Sequence, residues 1–188
     1  GVKKLLPGHF IEVINGQVTI EKYYELPQKN KINTNLSYDQ AQLKLRELMD
    51  ESVQHRMISD VPLGCFLSGG VDSSVITAIA SNHTDSLSTF SVGFKDAKFL
   101  DETKYAEAVA KKFKTNHTTF ILTNDDILAE LTNFVQHLDE PFADASALPT
   151  YLVSEKTSDY VKVALTGDGG DEVFGGYNKY YINAINKK

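Results

Sequence analysis

From Val61 onward, short apolar runs alternate with segments of helical period, and this alternation constrains the fold more than any other feature of the chain. Leu63 to Leu67 predicts a buried strand, followed by a Gly/Ser turn and a helix carrying Val75, Ile76 and Ile79. Thr89 to Phe94 predicts a second strand, and Asp101 to Phe113 a helix with Tyr105, Ala106, Val109 and Phe113 on one face. His117 to Leu122 predicts a third strand, and Ile127 to Leu138 a helix striped by Leu128, Leu131, Phe134, Val135 and Leu138. Ala147 to Lys156 predicts a further helix, Val161 to Leu165 a fourth strand, and Asp171 onward a terminal helix. Parallel strands cannot be joined by tight hairpins, so this order implies a doubly wound parallel α/β sheet, covered on both faces and joined by right-handed crossovers.

Ahead of this core, Phe10 to Ile14 and Gln17 to Tyr24 flank Asn15-Gly16, the dipeptide suited to a type I′ turn, and predict an N-terminal β-hairpin appendage. Pro27 to Asn35 is polar and rich in turn formers, and reads as a linker. Ser37 and Gln40 form a capping-box pattern ahead of a helical stripe, Ala41, Leu45, Leu48, Met49 and Val53, running to about Met57. The expected organisation is therefore a hairpin and linker over residues 1–35 and a core over residues 36–188.

The 188 residues, 41% hydrophobic and 23% charged, suit a globular chain able to bury roughly 70% of its unfolded surface. No apolar run approaches the ~20 residues needed to cross a bilayer, so no membrane partner is expected. The net charge of −6 argues against nucleic acid as the main partner. A single cysteine, Cys65, excludes an intrachain disulfide framework and suits a reducing cytoplasm. It lies inside the first core strand, where a small packing residue is the expectation rather than a nucleophile. No signal peptide is read at the N-terminus.

Open α/β sheets bind ligands where turns leave the carboxyl ends of the strands, and two of those turns are unusual. After the first core strand comes Ser68-Gly69-Gly70-Val71-Asp72-Ser73-Ser74; after the fourth comes Thr166-Gly167-Asp168-Gly169-Gly170-Asp171-Glu172. Paired glycines let backbone N–H groups turn toward an anion, and the following helix adds its positive N-terminus. The first turn is thus suited to phosphate. It is neither a Walker A loop, lacking the lysine before Ser73, nor the dinucleotide G-x-G-x-x-G. Carboxylates take the place of the lysine: Asp72 in one turn, and Asp168, Asp171 and Glu172 in the other. Unit charges a few ångströms apart repel by ~4 kcal/mol at an effective dielectric of ~20, so a polyphosphate here calls for a divalent cation. Mg²⁺, which takes one or two carboxylates plus phosphate oxygens and water, would bridge Asp72 and Asp171. Either turn alone also fits a plain tight connection with acidic residues at a helix start; the two together favour the nucleotide site.

At these residues the sequence resembles a known family. SGGVDSS resembles the pyrophosphate loop of the ATP pyrophosphatases that adenylate a substrate, the group containing asparagine, argininosuccinate, GMP and NAD synthetases. LTGDGGDEVFGGY, Leu165 to Tyr177, narrows the resemblance to the synthetase domain of glutamine-dependent asparagine synthetases. DEPFADASALPTYLVSE, Asp139 to Glu155, is similar to a segment the family carries between its third and fourth strands, and VKKLLPGHF to its interdomain junction. The resemblance implies an adenine nucleotide alpha hydrolase-like fold, with ATP and Mg²⁺ as cofactors. It implies that Ser68, Gly69, Gly70, Asp72, Ser73 and Ser74 hold the pyrophosphate, that the backbones of Leu67 and Val92 meet adenine, and that Thr166 and Gly167 lie against the nucleotide. Asp72 and Asp171 would be the Mg²⁺ ligands. Asp168 stands where well-known members have glutamate, proposed to act near the acyl-adenylate. The implied reaction is two-step: an aspartate side chain attacks the α-phosphate of Mg-ATP, releasing pyrophosphate and leaving β-aspartyl-AMP, and ammonia then displaces AMP.

The chain also departs from the family. It begins with Gly1 rather than the cysteine that cleaves glutamine for ammonia, and Lys188 comes before the helices that supply a catalytic lysine. The expectation is an excised nucleotide-binding core, inactive alone, of a larger cytoplasmic ligase for which a homodimer stays open. Lys179, Lys187 and Lys188 are read as helix-end residues. His9, His55, His83, His117 and His137 lack metal-ligand spacing, and the Tyr23-Tyr24 and Tyr180-Tyr181 pairs are read as packing residues. Alternatives at this stage are an amidotransferase acting on another carboxylate, a sugar acid or β-amino acid, and a nucleotide-binding module without catalysis.

Overall fold

Asn15 and Gly16 both take positive φ, 51° and 80°, the conformation a type I′ turn demands, and they join β1 (His9–Ile14) to β2 (Gln17–Lys22). The strands pair antiparallel from His9↔Lys22 to Ile14↔Gln17. The second strand stops short of the expected Tyr24 because the N–H groups of Tyr23 and Tyr24 both turn to the Gly8 carbonyl, at 2.9 and 3.2 Å. In this computed structural model residues 1–27, 35–180 and 182 are described, and they fall into two units, Gly1–Lys44 and Leu45–Lys188. Most of the linker, residues 28–34, lies outside the described residues, as do Tyr181, Lys187 and Lys188.

The helix α1 (Tyr38–Arg56) starts at the box read from sequence: Ser37 N–H donates to Gln40 Oε1 at 2.9 Å, and Gln40 N–H to Ser37 Oγ at 3.2 Å. Beyond it the order is β3 (Leu63–Phe66), α2 (Val71–Ala80), β4 (Ser88–Phe94), α3 (Thr103–Phe113), β5 (Asn116–Leu122), α4 (Asn124–Gln136), α5 (Ala147–Thr157), β6 (Val163–Leu165) and α6 (Gly170–Phe174). The four core strands are parallel in the order β5-β4-β3-β6, with Thr89 opposite Cys65 on one side and His117 on the other. The chain steps outward from β3 through β4 to β5, then returns to set β6 on the far side of β3. That reversal opens a crevice at the carboxyl ends of β3 and β6. No described helix is long and apolar enough to cross a membrane.

Alternation along β4 gives Thr89, Ser91 and Gly93 to the face under α3, where a Cβ on Gly93 would meet Thr103 at 2.7 Å. Phe90 faces the other way, stacked on Phe120 at 6.2 Å, with Tyr160 tilted against both. The core has two centres, one of Val53, Cys65, Ala80 and Leu87 and one of Leu67, Ala106 and Ala110. Small residues one turn apart on α3 let that helix approach the loop after β3.

Several boundaries differ from expectation, each for a local reason. Val161 closes the turn after α5 rather than opening β6, since its N–H returns to the Thr157 carbonyl at 3.0 Å. A 3₁₀ turn, Lys98–Leu100, occupies the approach to α3, and Asp101 stands ahead of that helix, its carboxylate accepting from Thr103 N–H, instead of joining it. α4 begins three residues early, at a capping box between Thr123 and Asp126. α6 is a single short turn, stopped at Gly175, whose φ of 73° is the left-handed conformation that ends helices.

Candidate functional site

The two Gly-rich turns leave adjacent strands, β3 and β6, and interlock. Gly69 has φ 86° and lies so near α3 that a Cβ would stand 2.5 Å from Tyr105 Cβ and 2.6 Å from Ala106 N, so no other residue fits. In the second turn, a Cβ on Gly167 would lie 2.7 Å from Ser73 N, and one on Gly170 would lie 2.4 Å from the Asp72 carboxylate. The second turn is therefore bare backbone where the first must pass, and Asp72 is held against Gly170.

Within the first turn the serines organise one another. The buried Ser73 hydroxyl accepts from Ser68 N–H at 3.3 Å, lies 3.0 Å from Ser68 Oγ and donates to the Gly70 carbonyl at 3.3 Å. Ser68 Oγ also accepts from Gly70 N–H at 3.2 Å. Ser74 instead donates back to the Gly70 carbonyl at 2.6 Å, inside its own helix. In the second turn the Thr166 hydroxyl donates to Asp168 Oδ2 at 3.0 Å and accepts from Asp168 N–H at 3.2 Å, which fixes the carboxylate's direction.

These turns line a cleft of about 770 Å³ at the crevice. Its wall contains Leu67, Ser68, Gly70, Asp72 and Ser73 from the first turn, Val92 from β4, and Thr166, Gly167, Asp168 and Asp171 from the second. Gly69 and Ser74 stand outside the wall, supporting the loop from behind. A second cleft of about 630 Å³ shares Thr150, Gly167, Asp168 and Asp171 with the first and adds Asp144, Ser146, Glu172 and Tyr177. Asp168 and Asp171 thus border both spaces.

Sequence reasoning missed Glu102 and Thr103 at the start of α3, and Thr150 and Val153 of α5, all on the wall of the larger cleft. The signal for the first pair was available. Asp101 Oδ1 accepts from Thr103 N–H at 3.0 Å, and a helix start beyond a parallel strand belongs to the ligand edge. Thr150 and Val153 fall in the Asp139 to Glu155 segment, which the resemblance marked without roles.

The Ser146 hydroxyl and N–H, at 2.6 and 2.8 Å, hold the Asp144 carboxyl below its ordinary range, so this group stays ionised in the second cleft. Tyr177 donates to Glu172 Oε1 at 2.8 Å, and that bond, with the neighbouring carboxylates, pushes the phenol up to about 12. Tyr177 therefore remains a protonated donor at neutral pH. Lys179 Nζ lies 4.2 Å from the Tyr177 ring centroid, engaged by the aromatic face and outside both clefts. Burial raises the Cys65 thiol to about 12, the state of a packing residue.

Asp72 and Asp171 approach one cleft from two turns, and glycine backbone leaves room beside each: a Cβ on Gly176 would collide with Asp171 Oδ1. Among the described residues no group of three or more His, Cys, Asp or Glu could hold a metal ion by itself. Two carboxylates beside a polyphosphate-sized space are the donor set Mg²⁺ takes when phosphate oxygens and water complete its shell. The residues present fit that ion.

Residues 44–188 match the family described as Asparagine synthase. The chain is 43% identical over 178 residues to a protein of Methanocaldococcus jannaschii provisionally named glutamine-hydrolyzing asparagine synthetase 2, covering 89% of this chain and 33% of that one. It is 38% identical over 180 residues to glutamine-hydrolyzing asparagine synthetase 1 of Bacillus subtilis, covering 95% and 28%. Among solved structures, the ammonia-dependent NAD synthetase of Campylobacter jejuni aligns with a TM-score of 0.47 at 14% identity, over 72% of this chain and 60% of that one. The chain spans about a third of the length of these curated relatives.

Proposed function

The chain belongs to the asparagine synthase family, and from that premise we propose that its core unit binds Mg-ATP in the larger cleft and activates a carboxylate as its adenylate for amidation. The observation that carries this reading is the interlock: Asp72 and Ser73 of one turn and Gly167 and Gly170 of the other are built into one another at the mouth of a single cleft. A plain βα connection needs no such fit.

In this reading the first turn, with the N-terminus of α2 behind it, receives the pyrophosphate portion of ATP, and the backbones of Leu67 and Val92 receive adenine. Asp72 and Asp171 would hold Mg²⁺, which when bound supplies countercharge for the departing pyrophosphate. The acceptor occupies the second cleft, next to Asp168. One carboxylate oxygen forms a bond to the α-phosphorus while the bond from that phosphorus to the bridging oxygen breaks, so pyrophosphate leaves and an acyl-adenylate remains. Ammonia then adds to the acyl carbon, loses a proton and expels AMP. Asp168, aimed by Thr166, sits between the two clefts and is the residue assigned to orient the acceptor. The names of the relatives support aspartate as the acceptor and glutamine as the ammonia source.

The test has two parts. Calorimetry on this chain should detect Mg-ATP binding that weakens at least about tenfold in Asp72→Ala or Asp171→Ala and on chelation of the metal. In a protein of the relatives' length carrying this sequence, labelled pyrophosphate should exchange into ATP only when aspartate is present. Exchange with another acid but not with aspartate would overturn the acceptor. Unchanged binding in both variants would overturn the site.

A further inference from the structure

The sheet face beneath α3 carries polar groups where a parallel sheet is ordinarily apolar. Thr89 and Ser91 of β4 are buried there, 0% and 4% exposed, paired with His117 and Thr119 of β5. Thr115 Oγ1 lies 2.7 Å from Thr89 Oγ1, which lies 2.9 Å from His117 Nδ1; His117 Nε2 lies 3.1 Å from Ser91 Oγ, which lies 3.2 Å from Thr119 Oγ1. These contacts form an unbroken chain of hydroxyls with an imidazole at its centre.

Such a chain has a direction. A hydroxyl owns one proton and two acceptor lone pairs, so the hydroxyl facing the bare ring nitrogen must spend its proton there, while the one facing the ring N–H accepts. A neutral imidazole, with one donor and one acceptor nitrogen, passes a single direction from end to end. An imidazolium donates at both nitrogens, and one of the two hydroxyls must then turn round. From α3 the ring feels Glu107, whose carboxylate favours the charged form, and from β4 it meets the two hydroxyls and the backbone of Thr89, whose hydrogen bond favours that form too. Burial outweighs that attraction and keeps the ring's pKa below its ordinary value. Ser91 and the adjacent Val92 are both on the wall of the larger cleft.

We propose that His117 is a positioning residue for the nucleotide cleft: in its neutral form it fixes the direction of the hydroxyl chain that clamps β4 to β5, and protonation slackens the Ser91–Val92 wall. The consequence for nucleotide affinity rests on the function proposed above; the consequence for β4 does not.

The whole chain can be titrated by NMR, following the His117 ring together with amide hydrogen exchange across Phe90–Phe94. The neutral ring should hold a single tautomer, and the protection factors of these amides, taken against the base-catalysed intrinsic rate at each pH, should fall in acid with the midpoint of the ring. Exchange that ignores the ring titration overturns the proposal, and this reading needs no variant. His117→Gln, which keeps one donor and one acceptor but does not titrate, should retain the protection without its acid response, whereas His117→Leu should lose protection at every pH. ATP affinity relative to His117→Gln should fall about threefold or more between about pH 8 and about pH 5.5, and parallel profiles overturn the link to the cleft. Exchange that follows the ring in a chain that binds no nucleotide at any pH would sink the proposed function while leaving the positioning of β4 upheld.

Discussion

Gly167 and Gly170 press on the first turn at nearly equal distances, yet alanine at each should have different effects. At Gly170 the obstacle is the tip of Asp72, which can swing aside; at Gly167 it is the backbone N of Ser73 and the body of Asp72, which cannot. Gly170→Ala should therefore leave stability within about 1 kcal/mol of wild type while weakening Mg-ATP binding, since the displaced group is a carboxylate assigned to the metal. Gly167→Ala should cost roughly 1–3 kcal/mol of stability as well. Urea unfolding and calorimetry on both variants check this, and equal stability losses would contradict it. The residue types of the site were legible because Asp72, Asp168 and Asp171 sit in turns whose glycines announce close approach. The interlock was not, because spacing along the chain says nothing about which turn passes under which. Cys65 was legible as a packing residue for the opposite reason: an apolar run surrounds it, and burial is what sets its thiol.

At the scale of elements, capping decided where reading succeeded. Ser37 and Gln40 precede an obvious stripe and were read; Thr123 and Asp126 enclose two polar residues, Asn124 and Asp125, and were passed over for the apolar start at Ile127. Thr123 Oγ1 accepts from Asp126 N–H at 3.2 Å, and Asp126 Oδ2 accepts from Thr123 N–H at 2.8 Å. Thr123→Ala should destabilise the core unit by about 1 kcal/mol, and Thr123→Ser should restore most of it, as measured by the urea midpoint. Equal stability of all three proteins would show that α4 is held by packing on α5 alone. The strands were legible in type because runs such as Thr89 to Phe94 are rich in β-branched and aromatic residues. α6 was over-extended because Gly175 reads as one more glycine until its left-handed φ is seen.

At the scale of the whole molecule, acid should act in two stages. His117 has its pKa below its ordinary 6.5 in the folded chain, so as pH falls through 6.5 the unfolded state takes its proton first and stability declines. Asp101, Asp126 and Asp144 have folded pKa values below their ordinary 3.8, through hydrogen bonds from Thr103, Thr123 and Ser146; the stability they lend is complete above 3.8 and is lost as pH falls through the lower folded values. The urea midpoint should be level above about pH 7, begin to fall below about pH 6.5 and fall again below about pH 4, and His117→Gln should remove the first decline alone. A midpoint level down to pH 4 would contradict the His117 assignment, and one that stays level below pH 4 as well would contradict the carboxylate assignment. The sheet order β5-β4-β3-β6 carries one more consequence, for the order in which the molecule can be made. Of these four strands β3 leaves the ribosome first and β6 last, yet they lie side by side and each carries half of the proposed nucleotide site. At roughly 5–20 residues per second, the stretch from Phe66 to Val163 separates them by on the order of 5–20 s. During that interval the nascent chain holds the serine-rich turn without its partner, so on the function proposed above nucleotide capture would report that synthesis has passed β6.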